Sequence, residues 1–212
     1  LGAKYWEVGN ELMGHWEQGH TIGSDYGNRF ADFYKAMKAV NPSIKVIAVG
    51  SQHDRDDIFN PGTGNWTRQL LRAARAEGVT PDGFQIHTYP GNAGNHQLLH
   101  SDLDAIALFT TSLNTMVAQE TGAGQLDYCM TEFGASGNER WIKFIGGQFV
   151  LQYIMEMCKH RWAASNVFGE IYNTTNFRAA PVWYMYAFLH GKFGRNMVNA
   201  TSNNADVRAY AS

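Results

Sequence analysis

Two glutamates sit in stretches suited to acid–base chemistry. The first is Glu11, in Lys4-Tyr5-Trp6-Glu7-Val8-Gly9-Asn10-Glu11-Leu12. Tyr5, Trp6 and Val8 predict a short buried strand, Gly9 a turn, and Asn10-Glu11 the strand's end. A carboxylic acid beside a carboxamide suits sugar chemistry. The acid can protonate a leaving oxygen, and the amide can bind a neighbouring hydroxyl. The matching stretch lies 121 positions further on: Tyr128-Cys129-Met130-Thr131-Glu132-Phe133-Gly134. It too reads as an apolar strand ending in a glutamate and then a glycine. Such a pair can act as acid and nucleophile on one glycosidic bond. Otherwise the two glutamates simply make ion pairs or caps at loop starts.

Other chemistries find little support. His96 and His100 have the spacing of helical metal ligands, but no HExxH and no matching Cys or carboxylate motif accompanies them. The sequence therefore predicts no metal and no cofactor. Neither a serine nucleophile elbow nor a Gly-rich phosphate loop is present. The formal net charge of −2 gives no electrostatic case for nucleic acid or an anionic membrane. No run of about 18 apolar residues predicts a membrane span. Cys129 and Cys158 read as small buried apolar residues and leave the compartment, secreted or cytoplasmic, open. Asn65-Trp66-Thr67, Asn173-Thr174-Thr175 and Asn199-Ala200-Thr201 fit the glycosylation sequon.

The elements that must position the glutamates alternate strand with helix. The chain has 212 residues, with 44% hydrophobic and 17% charged, enough apolar mass for one ordinary domain. After the opening strand comes a loop, 13–24, carrying His15, Trp16 and His20. Trp16 lines a cleft beside Glu11 or packs in its own loop. Asp25 is the predicted N-cap of a helix in which Tyr26, Phe30, Phe33, Met37 and Val40 form one apolar stripe. Asn41-Pro42 stops it. Strands are expected at 44–49, 84–89, 128–133 and 165–171. Glu170, at the end of the last, is a further candidate contact. Helices are expected at 66–77, from Ser101 or Asp102 to Gly122, at 138–160 and at 178–190. Trp141 and Trp183 read as core residues.

This alternation predicts an α/β fold with parallel strands and crossover helices. Five strands with helices between them make most of a (β/α)8 barrel, whose active residues sit at strand C-terminal ends. The end of the chain changes character. Met197-Val198-Asn199 and 206–211 alternate like strands around a polar turn. Residues 1–193 are thus expected to be a barrel without its front, and 194–212 to enter a β-sandwich or wrap back onto a preceding part.

The stretches Trp6-Glu7-Val8-Gly9-Asn10-Glu11, His87-Thr88-Tyr89 and Thr131-Glu132-Phe133-Gly134 resemble retaining glycoside hydrolases of clan A. Within that clan the chain is most similar to the α-L-arabinofuranosidases of glycoside hydrolase family 51. The resemblance implies a partial TIM barrel, strands four to eight, with the start of a C-terminal β-sandwich. It implies that Glu11 is the acid/base and Glu132 the nucleophile. It makes Asn10 the partner of the sugar 2-hydroxyl, Tyr89 the residue that holds the nucleophile, and His87 a substrate-side histidine. Where the clan often has a tryptophan after the eighth strand, this chain reads Phe168-Gly169-Glu170-Ile171-Tyr172.

The implied activity is release of α-L-arabinofuranose from an oligo- or polysaccharide by double displacement. The alternatives are an endo-β-glucanase or β-xylosidase of the same clan, or a carbohydrate-binding protein without turnover. The resemblance also implies that barrel strands preceding Leu1, or a partner chain, cover the open edges.

Overall fold

The computed structural model describes residues 2–51, 65–89, 96–134, 144–167, 178–194, 196–204 and 208–212, with the side chains of 96–102 excepted. The chain forms two compact units, one of residues 1–88 with 107–132 and one of 89–106 with 133–212.

In the first unit β1 (Tyr5–Val8), β2 (Lys45–Val49), β3 (Gly83–Thr88) and β4 (Asp127–Phe133) follow one another across the sheet in chain order. β1 pairs β2 in parallel with Tyr5 opposite Lys45, and β2 pairs β3 in parallel with Ile47 opposite Gly83. Sequential parallel strands without a reversal of order are how a (β/α)8 barrel runs. A doubly wound sheet reverses at its switch point. The crossovers are α1 (Gly23–Val40), α2 (Trp66–Ala76) and α3 (His96–Thr121). Val46, Ile47, Ala48 and Phe84 are fully buried in the sheet, as are Phe30 of α1 and Leu70 and Leu71 of α2. Tyr26 joins β1 to β2, its hydroxyl donating to Val8 O at 2.7 Å and accepting from Val49 N at 2.9 Å.

The second unit holds α4 (Phe144–Lys159), β5 (Ala164–Val167) and α5 (Pro181–Lys192). α4 is covered on most sides, as its apolar composition predicts, with Phe149, Val150, Tyr153 and Met157 buried. The end of the chain makes an antiparallel bridge between Val198 and Ala211. Arg208 and Tyr210 fix it to α4 by hydrogen bonds to buried Glu156.

Several local expectations change. β1 is an edge strand rather than a buried one, with Tyr5 37% and Trp6 47% exposed, because only β2 pairs with it among the described residues. The stripe of α1 is covered only in its first half. Tyr26 and Phe30 are buried, whereas Phe33 is 56% and Val40 88% exposed. A groove of about 530 Å³ beside β1 is lined by Val8, Leu12, Phe30, Phe33 and Met37. Ile22, not Asp25, occupies the N-cap of α1, and Asp25 falls in its first turn. α3 begins at His96, so Ser101 and Asp102 lie inside it rather than at its start. α5 begins at Pro181 because proline's missing N–H suits the first helical turn. Trp183 is 37% exposed, against the expected core position. Asn65 is buried as the cap of α2, its side chain accepting from Arg68 N. Cys129 and Cys158 are both free thiols, the first buried and the second half-buried. Glu170, Trp141 and the side chains of His96 and His100 lie outside what the structure describes.

α2 and α3 meet at a charge cluster. Glu120 accepts from Arg72 Nε at 2.8 Å and also from Arg68. Burial would raise the Glu120 carboxyl, but the two guanidinium groups overcome it and hold the group below the usual carboxylate range. Its stabilising contribution is therefore present above the usual carboxylate pKa. It is lost as pH falls through the lowered folded value. Glu120→Gln should cost about 1–2 kcal/mol at pH 7, the scale of a charge-assisted hydrogen bond. The gap from wild type should close in acid, read from urea midpoints at pH 7 and pH 3.

Candidate active site

The loop after β1 carries Glu11 into the first unit's strand ends. Gly9 turns the chain at φ +94°, and Glu11 itself takes the left-handed region at φ +36°. A side chain rarely adopts that conformation unless its surroundings impose it. Here Gly14 N donates to Glu11 O at 2.8 Å, and Thr21 N to Leu12 O at 2.9 Å, closing the loop on itself.

Glu11 then meets two other elements. Its Oε1 lies 2.8 Å from Nδ1 of His87 on β3, and its Oε2 accepts from Trp16 Nε1 at 2.6 Å. Glu132, near the end of β4, reaches the same Nδ1, with Oε2 at 3.6 Å. His87 is 3% exposed as a residue, while the side chains of Glu11 and Glu132 are 15% and 28% exposed. One imidazole edge thus stands between two carboxylates at a partly open surface.

Carboxylate oxygens of both glutamates and a ring nitrogen of His87 lie within 4.8 Å of one another. These are donor types that a divalent cation can use. The 2.8 Å contact between His87 and Glu11 also has the length of a hydrogen bond. We read the three residues as a proton-sharing group.

Three other residues complete the surroundings, and the sequence reading passed over them. Gln85, 1% exposed, donates from Nε2 to Gly9 O at 2.8 Å. Thr131 places its hydroxyl 3.2 Å from His87 Nε2 and 3.4 Å from Gln85 Oε1. Glu7, on β1, has its pKa raised by partial desolvation against the strands. Proximity to His87 and a hydrogen bond from Thr131 oppose that rise, and Glu132 adds to it. The available signal was a polar residue inside an apolar strand. Gln85 and His87 are two positions apart and so share one face of β3.

The other expected contacts are placed as follows. Trp16 joins Glu11 directly, its indole 49% exposed beside it. Asn10 is exposed and donates from Nδ2 to Glu17 Oε1 at 2.7 Å. Tyr89 follows β3 directly and is half-buried. Gly14 explains how Trp16 is held. A Cβ there would stand 2.2 Å from the indole Cε2 and 2.3 Å from Cζ2. Gly14→Ala should push the indole off Glu11, with a shift in tryptophan fluorescence and a loss of about tenfold in any turnover that uses Glu11. That loss corresponds to one hydrogen bond to a charged group. Trp16→Phe should match it.

Residues 2–100 match the Alpha-L-arabinofuranosidase 1 domain family. An intracellular exo-α-(1→5)-L-arabinofuranosidase of Bacillus subtilis is 35% identical over 95 residues, which are 45% of this chain and 18% of that enzyme. An exo-α-(1→6)-L-arabinofuranosidase of Bifidobacterium longum is 34% identical over 71 residues, 34% of this chain and 13% of that enzyme. The matched stretches thus span less than a fifth of either relative. A solved α-L-arabinofuranosidase of Thermotoga maritima, in complex with arabinose, superposes with a TM-score of 0.71. The match has 19% identity and covers 92% of this chain and 41% of that one. A β-xylosidase of Caulobacter crescentus CB15 superposes with a TM-score of 0.65 at 16% identity, covering 90% of this chain and 42% of that one. At such identities the structures establish the fold, part of a (β/α)8 barrel, and the sequence matches establish the nearer likeness. The resemblance read from the strand-end motifs therefore holds: this chain is an α/β partial barrel similar to α-L-arabinofuranosidases.

Proposed function

We propose that this chain carries the catalytic pair of a retaining glycoside hydrolase acting on α-L-arabinofuranosides. The observation that carries the reading is the meeting of Glu11 and Glu132. They lie 121 positions apart in the chain, yet their carboxylate oxygens approach within 4.8 Å around one histidine. Retaining enzymes hold their carboxyl groups about 5–5.5 Å apart, and inverting ones about 6.5–9.5 Å to admit a water. The close approach supports double displacement. Glu132 attacks the anomeric carbon and the leaving oxygen takes the proton of Glu11. Glu11 then takes a proton from the water that releases the sugar.

The roles divide by surroundings. Glu11 must hold a proton at rest, and its hydrogen bond to His87 Nδ1 gives that proton a place. Glu132 must be ionised to attack. Trp16 sits where a sugar face can stack, and Asn10 where a hydroxyl can bind once Glu17 releases it. Tyr89 is assigned to support of Glu132 by resemblance alone, and Glu170 to substrate contact by its place at an expected strand end.

The preference for arabinofuranose rests on the match over residues 2–100, since the fold is shared with a β-xylosidase. The boundaries at 1–193 for the barrel and 194–212 for a β-sandwich are part of the same proposal, supported by the antiparallel bridge of Val198 with Ala211. So is the covering of β1 by further barrel strands or a partner chain, supported by the exposure of Tyr5, Trp6 and Phe33.

A panel of nitrophenyl glycosides with the intact protein tests the activity. Release from the α-L-arabinofuranoside, with the first-formed sugar in the α configuration by NMR, is expected. Release only from a β-xyloside or β-glucoside would move the substrate to the alternative enzymes of the clan. No release from any member would leave a carbohydrate-binding protein.

A further inference from the structure

Which nitrogen of His87 carries a proton decides what Glu11 can do. A neutral imidazole donates from one nitrogen and accepts at the other, and the bond made by one fixes the role of the other. His87 turns Nδ1 to the two catalytic carboxylates and Nε2 to Thr131 Oγ1. The donor at the Thr131 contact therefore sets the chemistry at the Glu11 contact.

The hydrogen bonds beyond Thr131 give the direction. Gly9 O is a backbone carbonyl and can only accept, so Gln85 must turn its amide NH₂ toward it, as the 2.8 Å contact shows. That orientation leaves Gln85 Oε1 facing Thr131. The other polar neighbour of the Thr131 hydroxyl is the Glu7 carboxylate, an acceptor while ionised. The single Thr131 proton goes to Gln85 or Glu7, and its oxygen is left to accept. The donor to it is the N–H at His87 Nε2.

We propose that Gln85 and Thr131 act as positioning residues that pin a proton on His87 Nε2, so that Nδ1 and Glu11 share the one remaining proton between them. The groups facing this proton are Glu11 from the β1 loop, Glu132 from β4 and, beyond Thr131, Glu7 from β1. With Nε2 committed, Glu11 protonated donates to Nδ1, and Glu11 ionised accepts from it. Either way the proton lies on the line between Glu11 Oε1 and His87 Nδ1. The opposite tautomer would put a fixed N–H against Glu11 and favour its ionised form, which cannot serve as an acid.

The mechanistic consequence rests on the glycosidase reading, but the tautomer can be measured without it. In the ¹⁵N-labelled intact protein, long-range ¹H–¹⁵N correlation should show His87 Nε2 with a pyrrole-like shift at every pH. A pyridine-like Nε2 at any pH overturns the proposal. Thr131→Val keeps the shape and removes the acceptor. It should convert Nε2 to pyridine-like and move the N–H to Nδ1, with kcat/KM lowered about tenfold and KM unchanged, while Thr131→Ser restores both. Retention of the pyrrole-like Nε2 in Thr131→Val also overturns it. If that variant does not fold, the wild-type spectrum decides alone. A pyrrole-like Nε2 in a protein that cleaves no glycoside would sink the enzyme reading and leave the relay standing. Cleavage with the reversed tautomer would do the opposite.

Discussion

Glu132→Ala and Glu11→Ala should each lower glycoside hydrolysis by orders of magnitude, and they should differ in what rescues them. On the proposed double displacement, no covalent sugar adduct should form without Glu132. Azide, entering the space left by the carboxylate, should restore turnover and give a glycosyl azide of inverted configuration. Without Glu11 the leaving oxygen departs unprotonated. The loss should then be large for alkyl leaving groups, about 10²–10⁴-fold as for other general acids, and small for a nitrophenol that leaves readily. Glu11→Ala with azide should give product of retained configuration, because the adduct on Glu132 still forms first. Steady-state rates on an alkyl and a nitrophenyl substrate, with NMR of the azide product, check all four outcomes. Equal, unrescued losses in both variants would contradict the separate roles. Unchanged rates would remove the pair from the chemistry altogether.

The second large effect is structural and acts on the same site. Gly83 opens β3 where it passes β4, and a Cβ there would stand 1.9 Å from the backbone oxygen of Asp127. Backbone cannot swing aside as a side chain does, so the strands must part. Gly83→Ala should cost about 3 kcal/mol or more, the upper range for overpacking. Since β3 carries His87 and β4 carries Glu132, the strain should also weaken the His87–Glu132 approach in whatever protein still folds. Gly124→Ala is the control. Nothing lies within 4 Å of its added methyl and its φ is not in the left-handed region, so its denaturation midpoint should equal wild type.

Elements whose signal is local agreed with the sequence reading. α2 ends at Ala76, with Gly78 at φ +73° beyond it, and α3 ends at Thr121, before Gly122 at φ +73°. Glycine after a helix is a short-range steric signal, readable without knowledge of the fold. The apolar runs of β2 and β4 were equally plain, since four of five and four of seven residues are buried. Caps were less legible. Asp25 and Ser101 have suitable side chains, but α1 begins at Gly23 and α3 at His96, before either residue.

Glu11 and Glu132 could be named from the sequence because an acidic residue at an apolar strand's end is visible in one dimension, and His87 through the family resemblance. Their convergence on Nδ1 of His87 was a matter for the tertiary structure, because the loop after β1, β3 and β4 meet only when parallel strands align their C-terminal ends. The same holds for burial. Tyr5 and Trp6 have the composition of a core strand yet lie at a sheet edge, and no local pattern says how many neighbours a strand will have. Gln85, Thr131 and Glu7 were invisible as a group for that reason. Each is an ordinary polar residue in its own strand, and only strand register at about 4.8 Å spacing turns three such residues into one hydrogen-bonded line. Residue type sets what a side chain can donate or accept, and the register of strands far apart in the chain decides what it meets.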